Sequence, residues 1–168
     1  IRSGIDVKII EMNKERCEEL ATLLPKATII CGDGTDYNLL MQEGIEYAVM
    51  EVSAHAIHYN KIYGIPFAAG VFTNCTQDHL DFFQTMQRYQ AVKKSLFGVS
   101  CPLAIVNGDD EYTMKAVEGL DKEIITFGWS EKNDYWAKDV HKLGGAKSGY
   151  TLMHKGEPIA EIELSIPG

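Results

Sequence analysis

Three short polar motifs lie within otherwise apolar stretches between Val49 and Phe97. They read MEVSAH from Met50, TNCTQDHLD from Thr73 and YQAVKK from Tyr89. The first two each follow a run that predicts a buried strand, so acids, hydroxyls and imidazoles stand where a strand ends. In an open α/β sheet, ligands bind at the carboxyl ends of the strands. The pattern therefore predicts a metal-dependent phosphoryl-transfer site.

Composition excludes several other classes of function. The 168 residues are enough for one domain with its own core. A net charge of -8 argues against sequence-independent nucleic-acid binding, which needs a basic face. No apolar run approaches the ~20 residues of a membrane span, and the first residues carry no secretory signal. The four scattered cysteines predict free thiols in a reducing cytoplasm.

The elements that position these motifs alternate between strand and helix patterns. Strands are predicted over residues 7–11, 28–31, 47–52, 66–73, 103–107 and 123–127. Helices are predicted over residues 13–24, 36–43, 85–97 and 111–120. This rhythm predicts a parallel sheet with helices on both faces, in which the first four strands share one sheet.

After Trp129 the sequence alternates polar and apolar residues between glycine-rich turns, which predicts antiparallel hairpins. The predicted fold class is α/β, a Rossmann-like three-layer parallel sheet with a small antiparallel β-hairpin extension at the C-terminus. We expect one domain built from three segments, residues 1–48, 49–128 and 129–168.

The segment from about Val49 to Gly168 resembles the central domain of the Mur ligases. The resemblance rests on MEVSAHAI, VFTNCTQDHLDFFQ, YQAVKKSLF and NGDD, which follow the family's order and spacing. It implies an ATP-dependent ligase of peptidoglycan-precursor synthesis that adds the third amino acid to a UDP-N-acetylmuramoyl dipeptide. It also implies Mg²⁺ and ATP as cofactors and that dipeptide as the substrate partner. The sequence does not decide whether the added amino acid is lysine or diaminopimelate. It does not decide the oligomeric state either.

By this resemblance, Glu51 and His79 are metal ligands, and Lys93 is carbamylated by CO₂ into a third. Lys93 and His79 are then the catalytic residues. Carboxylate oxygens suit magnesium. Simpler roles stay open: Glu51 could cap a helix, His79 could be a capping or core imidazole, and Lys93 could be a surface lysine beside Lys94. The two lysines differ by about 100° around a helix, so one can point inward.

The resemblance also assigns substrate and nucleotide contacts. Asn107 and Asp110 match a pair that contacts adenosine, although an ordinary Asn-Gly-Asp turn explains them equally well. Where the family carries an arginine, this chain has Lys61. A lysine lacks the bidentate fork of arginine, so the resemblance implies weaker binding of the dipeptide. The residues matching substrate-contacting positions are Ser53, His55, Lys61, Asn74 and Thr76.

Residues 1 to about 48 resemble a different family, the nucleotide-binding domain of Trk-type potassium-uptake regulators. Glu11 matches an acid that holds a ribose, and Asp33 in GDGTD matches a position near the adenine. An NAD- or ATP-binding regulatory module is thus the alternative function. A junction near Ala48 and Val49 predicts a chimera, natural or engineered.

Two phosphate-binding motifs are absent from these 168 residues, the G-x-x-G-K-[ST] loop and the G-x-G-x-x-G fingerprint. The abrupt first and last residues predict a piece of a larger protein. We therefore expect a ligase fragment that is inactive alone and binds no cofactor tightly, which leaves its status as an enzyme open. A recombined fold without activity is a further alternative.

Overall fold

The computed structural model describes residues 6–76, 80–98, 101–145 and 147–165. The chain divides into two compact units, Ile1–Val52 and Ser53–Gly168. The predicted fold class is confirmed, since the chain is a mixed α/β protein whose larger sheet is mostly parallel and ends in antiparallel strands. Within the described ranges, no helix has the length and apolar character needed to cross a bilayer.

The first unit is built around a two-stranded parallel sheet. Asn13 begins its first helix as predicted, because the side chain accepts a hydrogen bond from the Arg16 amide at 3.0 Å. Asp36 begins its second helix in the same way, with the amides of Asn38 and Leu39 as donors. The elements are β1 (Lys8–Glu11), α1 (Lys14–Leu23), β2 (Thr28–Cys31) and α2 (Tyr37–Gln42).

The second unit carries a six-stranded sheet in the order β3-β4-β5-β6-β7-β8. Strands β3 to β6 are parallel, and β7 and β8 run antiparallel to their neighbours as predicted for the end of the chain. Its helices are α3 (Ala54–His58), α4 (Leu80–Phe83), α5 (Met86–Ser95), a 3-10 turn (Leu96–Gly98) and α6 (Glu111–Val117). Its strands are β3 (Ala69–Phe72), β4 (Leu103–Asn107), β5 (Glu123–Gly128), β6 (Tyr135–Gly144), β7 (Lys147–His154) and β8 (Glu157–Leu164).

The core of this unit lies on one face of the parallel strands. Alternate residues Phe72, Ala104 and Val106 point to the helices and are buried, in one cluster with residues of α3 to α6. Phe97 is fully buried there and lies so close to Gly70 that a side chain at residue 70 would displace it. The sequence predicted helices on both faces, but on the opposite face Val71 is 57% exposed.

The predicted strand over residues 47–52 is wrong. These residues form neither helix nor strand, and Tyr47 and Val49 are 90% and 102% exposed. An apolar, β-branched run becomes a strand only where a neighbouring strand offers hydrogen bonds and a covered face. In the described part of the chain, β1 and β2 pair with each other and not with β3. The prediction that the first four strands share one sheet is therefore also wrong, while the single domain across residue 48 stays a prediction.

Two carboxylates fix the loop between β5 and β6. Asp109 accepts hydrogen bonds from the amides of Trp129 and Ser130, at 2.5 and 3.2 Å, and from the Asn133 side chain at 3.1 Å. Desolvation raises the pKa of Asp109, but these hydrogen bonds outweigh it and hold the pKa below its usual range. A side chain at Gly128 would collide with this carboxylate, which explains the glycine.

Asp134 closes the other end of the loop and provides a test. Its carboxylate accepts hydrogen bonds from the Thr126 amide at 2.8 Å and hydroxyl at 2.9 Å. Asp134→Ala leaves both donors without this partner, so we expect the free energy of unfolding to fall by about 1–3 kcal/mol. Urea unfolding followed by tryptophan fluorescence measures this, since Trp129 and Trp136 both lie in the second unit. Glu131→Ala, which removes an exposed carboxylate of the same loop, is the matched control.

The effect of Asp134→Ala should depend on pH. Hydrogen bonds from Thr126 hold the pKa of Asp134 below the ~3.9 of an unfolded chain. The stabilisation is therefore present above about pH 4 and is lost as the pH falls through the lowered folded value. The free-energy difference from wild type should shrink between about pH 5 and pH 3, and a difference that stays constant would contradict this role.

Candidate functional site

The carboxyl ends of β3 and β4 lie side by side in the second unit. Parallel register places Phe72 beside Val106, so the chain leaves both strands at one edge of the sheet. A side-chain hydrogen bond ties these ends together, because Asn107 Nδ2 donates to the Thr73 carbonyl at 3.0 Å. Beyond the tie, Asn74 is exposed whereas Cys75 is buried.

The NGDD turn, residues 107–110, lies at the same edge of the sheet, at the carboxyl end of β4. Asn107 Oδ1 accepts from the Asp109 amide at 3.0 Å, and Asp110 begins α6 by accepting from the amides of Tyr112 and Thr113 at 3.0 and 2.8 Å. Thr113 Oγ1 donates back to the Asn107 carbonyl. The turn that the sequence left as an alternative is thus formed, and both candidate nucleotide residues help to build it.

Lys93 lies on α5, which Thr85 begins by accepting from the Arg88 amide at 3.3 Å. The Lys93 ammonium lies 5.2 Å from the ring centre of Tyr89 and 5.6 Å from that of Phe72, within the range of a cation–π contact. Both rings are buried, whereas the neighbouring Lys94 is exposed. The residue that the motif singled out is therefore the half-buried lysine of the pair, and it lies beside the end of β3.

The charges of Lys93 and Asp110 both affect the pKa of the buried Cys75 thiol, an environment that the sequence did not reveal. The side chain is 2% exposed, and burial raises the pKa of its thiol. The positive charge of Lys93 lowers that pKa and the negative charge of Asp110 raises it, so both charges act at the strand end. The thiol consequently stays protonated at neutral pH. All four cysteines of the chain are free, as predicted.

The segment containing Ser53 and His55 forms the short helix α3. Ser53 begins it, since its hydroxyl accepts from the Ala56 amide at 3.1 Å. The His55 ring centre lies 4.6 Å from that of Phe82 and 5.2 Å from that of Phe83. Phe82 and Phe83 of the HLDFFQ sequence thus supply the aromatic surface on which this imidazole packs.

Other substrate candidates of the second unit are accessible. Lys61 follows α3 and is exposed, while its backbone amide donates to the Ala56 carbonyl at 2.9 Å. Thr76, like Asn74, is exposed at the end of β3. These side chains are open to solvent at positions where a ligand could reach them.

The first unit holds its own pair of candidate residues. Glu11 ends β1, and its carboxylate accepts from the Asn13 amide at 2.8 Å. Asp33 follows β2, and its carboxylate accepts from the amide and the hydroxyl of Thr35 at 2.8 and 2.7 Å. Because the register pairs Glu11 with Cys31, both acids lie at the same end of the two-stranded sheet.

The proposed metal ligands are not seen together. His79 lies outside the described residues, and Glu51 belongs to the first unit whereas Lys93 belongs to the second. In residues 6–76, 80–98, 101–145 and 147–165, no three histidine, cysteine or acidic side chains gather in a way that could hold a metal. The convergence of these three residues stays a prediction.

Comparison with known proteins identifies two families. The profile of the Mur ligase middle domain matches residues 34–168, and that of the TrkA-N domain matches residues 1–63. A UDP-N-acetylmuramoyl-L-alanyl-D-glutamate–2,6-diaminopimelate ligase from Caldanaerobacter subterraneus is 35% identical over 133 residues, which are 79% of this chain and 27% of that protein. The chain thus spans about a quarter of the length of such relatives.

Solved structures resemble the fold as well. A structure of a UDP-N-acetylmuramoyl-L-alanyl-D-glutamate–2,6-diaminopimelate ligase aligns with a TM-score of 0.66 at 20% identity, over 95% of this chain and 39% of that one. The MurF ligase from Thermotoga maritima, in complex with ADP, aligns with a TM-score of 0.52 at 22% identity, over 96% of this chain and 40% of that one. Because the Mur ligase profile covers most of its sequence, this chain belongs to the Mur ligase middle domain family.

Proposed function

We propose that this chain supplies the middle-domain part of an ATP-dependent ligase that extends a UDP-N-acetylmuramoyl dipeptide by one amino acid. The observation that carries the proposal is the half-buried Lys93 beside the joined ends of β3 and β4, at the position of the family's functional lysine. The family match and the similarity to a diaminopimelate ligase support the substrate class. The free cysteines are consistent with the cytoplasm as its location.

The reaction has two steps. A carboxylate oxygen of the dipeptide attacks the γ-phosphorus of ATP, and the bond to ADP breaks, which leaves an acyl phosphate. The amine of the incoming amino acid then attacks the acyl carbon, phosphate leaves with the bonding electron pair, and the nitrogen loses a proton to solvent or to the departing phosphate. When bound, magnesium would neutralise charge on the transferring phosphoryl group.

We assign the metal to Glu51, His79 and Lys93 in the assembled enzyme. Whether Lys93 can bind the metal ion depends on the chemical form of its side chain. As an ammonium it is stabilised by the rings of Tyr89 and Phe72 and cannot bind a cation. Addition of CO₂ to the neutral amine would turn it into an anion with oxygen donors, which suits a hard metal ion. Lys93 and His79 are the proposed catalytic residues.

The substrate is assigned to the exposed groups around α3 and the end of β3. The Ser53 hydroxyl accepts a bond from its own helix, which leaves its hydrogen able to donate to a ligand. Lys61 offers a cation, and Asn74 and Thr76 offer donors and acceptors at the strand end. His55 is held by aromatic packing and presents an imidazole from the same helix as Ser53.

ATP is assigned to the neighbouring NGDD turn. Asn107 and Asp110 are the proposed adenosine contacts. Each already serves the turn, but a carboxylate has about four acceptor sites and Asp110 uses only part of them in capping α6. The neighbouring MurF ligase is described in complex with ADP, which supports a nucleotide for this family.

A second candidate function belongs to the first unit. The TrkA-N match over residues 1–63 favours an NAD- or ATP-binding regulatory module. Glu11 and Asp33 would hold the ribose and approach the adenine, and their common position at one end of the β1–β2 sheet supports that use. This candidate predicts nucleotide binding that depends on Glu11 and is indifferent to Asn107.

Binding of UDP-N-acetylmuramoyl-L-alanyl-D-glutamate tests the substrate class. In ¹⁵N–¹H spectra, the amides of His55, Asn74 and Thr76 should shift saturably as this compound is added. Lys61→Ala should weaken binding by about 1 kcal/mol, or roughly fivefold, because it removes an exposed cation that faces an anionic ligand. Lys155→Ala, at an exposed lysine of the β7–β8 turn, should leave the affinity unchanged. If titration leaves these amides unmoved, the substrate assignment is wrong.

Carbamylation tests Lys93. In ¹³C-bicarbonate, NMR should show a small carbamate signal, small because its formation gives up the cation–π contacts with Tyr89 and Phe72. Lys93→Arg should abolish the signal, and Lys94→Arg, at the exposed neighbour on α5, should retain it. The opposite pattern, or no signal in the wild type, would contradict the assignment.

Calorimetry with Mg-ATP tests cofactor binding by this chain alone. We expect a dissociation constant no tighter than about 0.1–1 mM, because the sequence offers the phosphates no glycine-lysine loop and its net charge of -8 repels them. A low-micromolar constant would reveal a phosphate site that this assignment lacks. Loss of such binding in Glu11→Ala would favour the regulatory module, and loss in Asn107→Ala would favour the ligase.

A further inference from the structure

The face of the larger sheet opposite the helices is apolar and open. Val71 pairs with Ile105, and Ile105 with Ile125, so these three side chains form one row across the strands. Val71 is 57% exposed, and the two isoleucines are only partly buried. The next row, Asn107 and Phe127, leads to the C-terminal strands.

At the C-terminal strands this face deepens into a cleft of about 740 Å³, here called the hairpin trough. It extends from Phe127 and Trp129 along the β6–β7 hairpin to the turn at its tip. A register shift between Lys138 and His141, where Asp139 adopts a φ of 53°, breaks the regular pairing of the hairpin. A bulge of this kind bends a strand, which accounts for the concave shape.

The long wall of the trough is apolar. Tyr150, Leu152 and Leu164 line it, and Trp129 at one end is 70% exposed. Trp136 lines it too, and its buried Nε1–H has no acceptor in the described part of the chain. The volume lies within the ~300–1,000 Å³ of small-molecule sites, which combine an apolar lining with a few polar groups.

Positive charge is confined to the hairpin tip. Lys142 and Lys147 line the trough there, together with His141. Among the described residues that line it, none is an aspartate or glutamate, although the chain carries 24 acidic against 16 basic residues. The trough thus differs in sign from the protein as a whole, and it would attract an anion at one end only.

We propose that the hairpin trough binds a free, elongated apolar anion of the fatty-acid type. The seven residue steps from Tyr135 to Lys142 span roughly 20 Å at ~3.3 Å per residue, which suits an extended acyl chain. The acyl chain of this ligand lies along Phe127, Tyr150 and Leu152, and its carboxylate lies between Lys142 and Lys147. Asn107, a proposed adenosine contact at the end of β4, also lines the trough, whereas the lysines at the hairpin tip take no part in the proposed ligase chemistry.

Fluorescence transfer to 11-(dansylamino)undecanoic acid tests the proposal, because both tryptophans of the chain line the trough. Excitation of the indoles should give saturable dansyl emission, and oleate should displace the probe at least tenfold more effectively than methyl oleate. The double variant Lys142→Glu, Lys147→Glu should weaken probe binding about tenfold. The matched control, Lys132→Glu with Lys155→Glu, reverses two lysines outside the trough and should bind as the wild type does, with circular dichroism confirming that both variants fold.

Four results would overturn the proposal. Equal displacement by methyl oleate, together with an unchanged affinity of the Lys142 and Lys147 variant, would mean that the probe reports only an exposed apolar face. Displacement by ADP would assign the trough to the nucleotide. Cosedimentation of the protein with phosphatidylglycerol vesicles would show a membrane surface in place of a free ligand. A dimer in sedimentation velocity that excludes the probe would make the trough a contact between two copies.

Discussion

The larger unit depends on the four-residue turn that follows β4. Asn107 ties this turn to the end of β3, Asp109 ties it to the loop after β5, and Asp110 begins α6. The end of β3, the loop after β5 and the start of α6 are therefore positioned by three polar side chains within four residues. The Asp109 carboxylate is the most consequential, because it accepts both backbone and side-chain donors, and bonds to an ionised acceptor are stronger than neutral ones. Asn107 of this turn and Trp129, whose amide donates to Asp109, both line the hairpin trough.

Much of the larger unit was predictable because its signals are local. Thr85 and Asp110 both begin helices close to where the sequence places them, since a capping side chain needs only the next few amides. Helical spacing predicted that one lysine of the pair Lys93 and Lys94 can point inward, and the motif resemblance favoured Lys93. The role of Cys75 was not predictable, because its environment arises from residues 18 and 35 positions away that meet only in the fold. The open sheet face escaped prediction for the same reason, since an apolar strand does not indicate what covers it.

The segment around the predicted junction shows where local patterns stop being informative. Residues 34–63 match both the Mur ligase and the TrkA-N profiles, so this stretch satisfies the sequence requirements of two families at once. Its middle, residues 47–52, carries a strand-like pattern but forms no strand, and the division between units falls after Val52 and not after Ala48. A strand forms only where a neighbouring strand can bond to it, and in the described part of the chain no strand pairs with residues 47–52. The motif MEVSAH is consequently divided: Glu51 lies in one unit, and Ser53 and His55 lie in the other.

The division of the chain into two units determines which candidate site residues the structure places in the same unit. Lys93, Cys75 and Asp110 belong to one unit, and the charges of Lys93 and Asp110 both act on the buried Cys75 thiol. An ammonium beside two buried rings is stabilised by cation–π contacts, and the proposed carbamylation of Lys93 would give these contacts up. Packing therefore places Lys93 beside the end of β3, and under the proposed function its metal-binding form would depend on a bound cation.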